Sequence, residues 1–448
     1  MLNVAQSQEQ VAELVRRAGR AGADAADALY SGGASTQVQV RLGALEDVER
    51  SEGEEIGLRV FVGQRSATAS TSDFTPASYD ALVERVVAMA RQAPEDPYAG
   101  LAPADRLMQA PSPELDIEDP AEVGPAALRE RALEAEDAAR SVAGVTNSEG
   151  AGASASRQVM ALATSTGFAR AYASTMHGVS ASVLAGEGGT MQRDYAYSSV
   201  HHLADLESAA AIGRLAGERA VAKRDPARLQ SGSMPVVFDP RISGGLLTHL
   251  IGAITGASIA RKTSFLLESL GAQIFGPGIT IIDDPLRARG LRSRPFDAEG
   301  LETRATNIID QGVLTGWLMT VAAANQLGLS PTGHASRGTG GAPGAGSSNL
   351  HMAAGTVSPK DLIADIAHGF YVTELIGMGV NVVTGDYSRG AAGFLIEQGE
   401  IAGPIAEVTV AGNLTDMFRE LVPADDLEFR YATNAPTIRI EGMTVAGG

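Results

Sequence analysis

The sequence predicts an α+β fold, with N-terminal and central α/β regions followed by a mostly antiparallel β C-terminal domain. Three observations carry this. Residues 1–93 mix apolar positions at helical spacing with strictly alternating stretches. Val145 to about Ser199 is rich in Ser, Thr, Ala and Gly with short apolar alternations, which reads as several antiparallel strands. Beyond Lys262, short apolar runs are separated by tight-turn residues.

In order along the chain, Ser7 followed by Gln10 has the pattern of a capping box, and Val11, Leu14, Val15 and Ala18 then share one helical face up to Gly22. Val38, Val40 and Leu42 alternate with Gln37, Gln39 and Arg41, a half-buried strand. Ile56 to Val62 is expected as a further strand after a turn at Gly53, and Leu82, Val83, Val86 and Ala90 mark a second helix. Seven prolines between Pro94 and Pro125, among mostly acidic charges, exclude a helix or central strand there. The expected organisation is therefore an N-terminal α/β domain (1–93), a Pro-rich acidic linker (94–125), a central α/β region (126–230) and a mainly β domain (231–448).

In the central region, Ala126 to Arg140 and Asp205 to Lys223 are expected helices. The last domain opens with a strand at Pro235 to Phe238, followed by Pro240 and a helix up to Ala260 that is uncharged from Ile242 onward. Asp310-Gln311-Gly312 and Gln398-Gly399-Glu400 read as hairpin turns, and Gly338 to Ser348 as a mobile Gly-rich loop.

Composition narrows the function. The 448 residues carry 35 Lys+Arg against 53 Asp+Glu, a formal net charge of −18. That balance argues against direct contact with nucleic acid and against a polybasic membrane anchor. With no cysteine, disulfides, thiolate nucleophiles and thiolate metal ligands are all excluded. The N-terminus has Gln8, Glu9, Gln10 and Glu13 where a secretion signal needs an apolar core. Ile242 to Ala260 approaches membrane length but is too polar to insert. A cytoplasmic protein is expected.

Motif scans for a hydrolase serine elbow, a phosphate-binding loop and a dinucleotide loop fail. None of the seven histidines forms a compact ligand pair, and His201-His202 reads as a surface pair. Two segments are unusually specific. One is Phe296-Asp297-Ala298-Glu299-Gly300, followed by Asn307-Ile308-Ile309-Asp310-Gln311-Gly312-Val313-Leu314. The other is Gly385-Asp386-Tyr387-Ser388-Arg389-Gly390-Ala391-Ala392-Gly393-Phe394, continuing to Ile401. On physical grounds both are turns and hairpins with glycines at special positions.

Through these segments and the terminal Pro436 to Gly447 run, essentially the whole chain resembles the TldD/PmbA family, in its PmbA (TldE) branch. The resemblance implies one subunit of a two-subunit zinc peptidase acting on unfolded peptides. In that family the TldD-type subunit carries an HExxxH helix and a late cysteine ligand, and the TldE-type subunit shares the fold without zinc. The matching run here is Leu246-Leu247-Thr248-His249-Leu250-Ile251-Gly252-Ala253. Thr248 and Ala253 stand where the histidine ligands would be, and His249 stands where the glutamate base would be. The resemblance thus implies no catalytic residue and no metal in this chain, with zinc in a TldD-type partner. Ligands five apart lie about 140° apart on a regular helix, so the helix is expected to end or bulge between Thr248 and Ala253, at Gly252. His249 is expected to be buried and bonded to backbone. Arg337 and Asn349, flanking the Gly-rich loop, are candidate substrate-lining residues. Two other readings stay open: a homodimeric peptide- or protein-binding protein without protease activity, and an indirect modulator of DNA gyrase.

Overall fold

A computed structural model describes residues 1–447; Gly448, the last residue of the expected third region, lies outside them. The architecture is α+β. The first half contains α1 (Val4–Arg20), β1 (Ala25–Arg41), β2 (Ala44–Val62), β3 (Arg65–Thr71) and α2 (Pro76–Gln92). α3 (Pro125–Arg140), β4 (Val145–Thr164), β5 (Ala169–Ala185), β6 (Gln192–Val200) and α4 (Ala209–Ala222) follow. All six strands form one sheet in the order β3-β2-β1-β4-β5-β6. The two regions read separately from the sequence are therefore joined through β1 and β4, which pair antiparallel from Asp27↔Thr164 to Val40↔Ala151.

Several local details depart from expectation. The turn between β1 and β2 is at Leu42-Gly43, both at positive φ, and Gly53 lies inside β2 paired with Gly33. The capping box of α1 is Asn3 with Gln6. There Asn3 and Gln6 satisfy each other's backbone N–H groups, which Ser7, buried one turn on, cannot do.

Alternation decides what each face of the sheet meets. Ala26, Ala28 and Tyr30 pack with α1 and α2, and Val38 and Val40, of the same parity, pack with α3 and α4. All four helices thus cover one face. Leu29 and Leu162, of opposite parity, pack with Phe168, Phe296, Leu301 and Val321 of the C-terminal half. The Pro-rich stretch has no regular element beyond one 3-10 turn at Ala104–Arg106. It is nevertheless tied down as a strap. Leu107, Met108, Leu115 and Ile117 are buried, and Met108 N donates to Gly300 O at 2.9 Å and Thr175 N to Ile117 O at 2.9 Å.

The second half runs through β7 (Gly232–Phe238), α5 (Pro240–Ala253), α6 (Gly256–Ala260), β8 (Ile281–Asp283), β9 (Thr306–Asp310) and β10 (Val313–Leu314). Next come α7 (Val321–Leu327), the short pair β11 (Ala335–Ser336) and β12 (Gly344–Ala345), β13 (Leu350–Met352) and α8 (Pro359–Ile363). β14 (His368–Ile376), β15 (Asp386–Glu397), β16 (Glu400–Asn413), α9 (Leu414–Glu420), β17 (Val422–Pro423), β18 (Thr433–Asn434) and β19 (Ile438–Ala446) complete it. β16, β15, β14, β7 and β19 pair in that order, and β16 also pairs with β19. The five strands therefore close into a barrel, which removes the sheet edges that an added peptide strand would need. A second sheet has the order β10-β9-β8-β13-β18. The uncharged helix expected up to Ala260 breaks at Ile254 (φ −103°, ψ 10°), and Thr255 caps α6. No helix among the described residues is long and apolar enough to cross a membrane.

Candidate functional site

α5 starts cleanly. Asp239 caps it by accepting from Arg241 N at 3.0 Å, and Pro240 fills the first position, where no N–H is needed. Leu246, Leu247, Leu250 and Ile251 bury one side in the C-terminal core. Ser243 Oγ donates to Ala435 O at 3.1 Å, tying the helix to the segment after β18.

Its first turn is held by four buried or half-buried charges. Arg241 Nη1 lies 2.8 Å from Asp194 Oδ1, and Lys223 Nζ lies 2.9 Å from Asp194 Oδ2 and 2.6 Å from Glu374 Oε2. Burial pushes the Asp194 carboxyl up, and Arg241 and Lys223 outweigh it, holding it below the usual carboxylate range. The network joins β6, α4, α5 and β14, so it fixes the helix against the first sheet.

The three positions matched to the metal helix do not converge. Thr248 is exposed and its hydroxyl donates to Gly244 O at 3.3 Å within α5. Ala253 is fully buried. The helix runs unbroken through both, and the break expected at Gly252 comes after Ala253 instead. Gly252 is exposed with free space around it, so nothing in the packing forces an interruption there. His249 is half-buried edge-to-face with Tyr387, ring centroids 6.0 Å apart. Among the described residues its ring has no hydrogen-bond partner, contrary to the backbone bond expected for it. Burial, then the Arg389 guanidinium, lowers its pKa from the usual value, so the neutral imidazole is favoured. Tyr387, whose hydroxyl is buried without a partner, is pushed up to about 12 by burial. No group of three or more His, Cys, Asp or Glu side chains among the described residues could hold a metal ion. An exposed hydroxyl bonded to its own helix, a methyl group and one imidazole do not fit zinc, which takes three or four N, S or O donors on one centre.

The Arg337 side chain is buried and engaged. Its Nη1 lies 2.6 Å from Asp27 Oδ1, and the same carboxylate pairs with Arg59. Asp27 and Arg59 project from the sheet face opposite the helices, which is where the C-terminal half docks. The loop beyond Arg337 is held rather than mobile. β11 and β12 pair, Thr339 Oγ1 bonds Glu55, and Ser348 N and Oγ both donate to Asp283 Oδ1, at 2.7 and 2.9 Å. Asn349 is also buried; its Nδ2 donates to Asp284 O and Ser293 Oγ at 2.7 and 2.8 Å, and its Oδ1 accepts from Arg292 N. It reaches the floor of a cleft of about 340 Å³ between the end of β6 and the 287–291 and 429–434 segments.

The two distinctive segments have structural explanations. Asp297 is buried and accepts from the backbone N–H groups of Glu299, Leu301 and Ala335 at 2.9, 2.9 and 3.1 Å. Glu299 beside it accepts from Val321 N at 2.8 Å, and burial followed by the Asp297 charge pushes it up to about 8. Gly393 lies where a Cβ would run into Tyr371 O and Val372 of β14.

Comparison with known proteins accounts for the whole chain. The PmbA/TldA metallopeptidase family models match as domain 1 over 26–90, the central domain over 118–224 and the C-terminal domain over 231–447. The chain belongs to the PmbA/TldD family. It is 38% identical to Metalloprotease PmbA of Escherichia coli O157:H7, with 95% of this chain and 92% of that protein covered. It is 34% identical to a Haemophilus influenzae PmbA homologue, with 97% and 94% covered. Among solved structures, a Bacteroides thetaiotaomicron protein proposed to be a modulator of DNA gyrase matches with TM-score 0.91 at 28% identity, each chain covered in full. TldE of Thermococcus kodakarensis shares the fold, with TM-score 0.87 at 21% identity over 98% of this chain and all of that one.

Sequence reasoning missed the Asp194–Lys223–Arg241–Glu374 network, because its members are far apart in sequence and each reads as a surface charge. It also missed the cleft. Tyr387 and Arg389 stood within a segment already singled out, but nothing in sequence linked them to His249.

Proposed function

We propose that this chain is a non-catalytic subunit of a zinc endopeptidase that degrades or processes unfolded peptides in the cytoplasm, and that a TldD-type partner supplies the metal, the general base and the attacking water. One observation carries the reading. α5 keeps its cap, its buried face and its charged anchor, while the positions that would hold and use zinc carry Thr248, His249 and Ala253. With a helix-bonded hydroxyl at Thr248 and a methyl group at Ala253, His249 has no ligands beside it that would hold a metal-bound water for it to deprotonate. The scaffold then serves to complete a chamber around the partner's site. The test is peptide cleavage by the pure chain, by a TldD-type partner and by their mixture, with zinc supplied and then chelated. Cleavage is expected from the mixture, and robust zinc-dependent cleavage by the pure chain overturns the reading.

A second reading is a homodimeric binding protein that holds peptides without cutting them. The open cleft beside β6 favours it, because that site needs no metal. Native mass spectrometry separates the two: a stable homodimer that ignores an available TldD-type partner supports the second. Direct action on DNA is disfavoured by the net charge of −18.

A further inference from the structure

We infer that the cleft at the end of β6 binds the C-terminal end of an extended peptide, whose main chain pairs with Tyr197 and Ser199 and whose terminal carboxylate is held by Arg287. This rests on the peptide reading above and adds a site to it.

The first argument is an open sheet edge. β6 is the outer strand of the first sheet and pairs on one side only, with β5. Arg219 Nη1 donates to Tyr195 O at 3.2 Å and Lys223 Nζ to Arg193 O at 3.5 Å, so odd-numbered residues turn their backbone groups away from β5. The β5–β6 register has no shift. Tyr197 and Ser199 therefore also face outward. α4 side chains cover the edge at Arg193 and Tyr195 and leave it at Tyr197. Among the described residues, the N–H and C=O groups of Tyr197 and Ser199 have no hydrogen-bond partner. Both residues line the cleft. Beyond them the strand is fixed, since His201 Nδ1 and Nε2 lie 2.5 and 3.0 Å from Thr175 O and Gly290 O. An edge held rigidly with free donors and acceptors is ready to add a strand.

The second argument is charge. Arg289 and Arg430 in the lining are spoken for: Arg289 lies 2.8 Å from Asp205, and Arg430 lies 2.5 Å from Glu207. Arg287 has no carboxylate partner among the described residues. Its guanidinium carbon stands 3.3 Å from the centre of the Phe429 ring. Stacking uses the flat face of the group and leaves its in-plane N–H donors free. That is the arrangement that receives a carboxylate through two parallel hydrogen bonds. The cleft of about 340 Å³ is at the small end for ligand sites, which suits the end of a chain better than its middle. Tyr197 and Tyr431, ring centroids 5.5 Å apart, provide an apolar wall for side chains.

The test uses the full chain alone, without zinc or partner. A fluorescein-labelled, unstructured octapeptide of Gly, Ala and Leu is titrated as the free acid and as the C-terminal amide, with fluorescence anisotropy as the readout. The free acid is expected to bind about ten-fold or more tightly than the amide. Arg287→Ala is expected to abolish that difference. Ser199→Pro removes a donor that the β5–β6 ladder does not use, and is expected to weaken both peptides. Equal binding of acid and amide, or unchanged binding by both variants, overturns the assignment. If that happens while the two-subunit mixture still cleaves peptides, the cleft is refuted and the subunit reading stands.

Discussion

The segments that stand out most in the sequence, 296–314 and 385–401, are the ones the fold uses for its own backbone, whereas the cleft beside β6 looks ordinary in sequence and holds the unpaired groups. Asp297 spends its carboxylate on three main-chain N–H groups, and Gly393 makes room for a neighbouring strand. Arg287, Tyr197 and Ser199 carry no motif, yet they present free donors and acceptors. A backbone contact that admits only one residue type leaves a sharp sequence signature. A binding surface made from main-chain groups leaves none.

The contrast can be broken first at the anchor of α5. Lys223→Ala leaves Asp194 buried with Arg241 as its remaining cation. Losing one member of a buried network is expected to lower stability by about 3–5 kcal/mol, read from the denaturant midpoint. A change within about 0.5 kcal/mol would show that the network does not hold the helix. Gly393→Ala comes next. Its Cβ meets a carbonyl and a Cα of β14 rather than a flexible side chain, so a loss of about 3 kcal/mol is expected. A neutral outcome would mean that the second segment is distinctive for some reason other than packing.

Glu299 sharpens the comparison through pH. Its folded pKa of about 8 lies above the usual 4.5 because burial and the Asp297 charge disfavour the ionised form. The folded state therefore binds a proton that the unfolded state has released, and stability falls as pH rises from about 4.5 to about 8. Below that window both states are protonated, and above it both are ionised. Glu299→Gln is expected to flatten this slope and to gain about 2 kcal/mol over the parent at pH 8. Urea melts of both proteins at pH 5, 6.5 and 8 check it, and parallel pH profiles would refute the assignment.

How much was legible follows the same division. The turns at Asp310-Gln311-Gly312 and Gln398-Gly399-Glu400 could be read because two successive residues with positive φ restrict the choice of side chain. The start of α5 was legible from Pro240, but its end was not, since Ile254 carries no stop signal and the break is made by Thr255 capping the next helix. The joining of the first two regions was hidden because β1 and β4 are separated by two other strands, two helices and the strap. Arg337 looked exposed beside a glycine-rich loop, and the carboxylate that buries it, Asp27, is 310 residues away in sequence. Thr248, His249 and Ala253 lie on one helix, without the end or bulge expected between Thr248 and Ala253. Their directions depended on whether that helix stayed regular, which a glycine alone does not decide.

Gly252 gives the smallest and most discriminating effect. It was expected to interrupt the helix, yet it lies within α5, exposed, and an added methyl would touch nothing within 4 Å. Its φ is not in the left-handed region. Alanine at such a position loses less backbone entropy on folding and propagates the helix better. Gly252→Ala is therefore expected to stabilise the chain by about 0.5–1 kcal/mol, visible as a higher denaturant midpoint with an unchanged slope. If the variant is destabilised, the backbone at Gly252 is under a constraint that the regular helix does not reveal. If it is stabilised but the two-subunit mixture loses cleavage, the bare glycine surface is where the partner approaches α5.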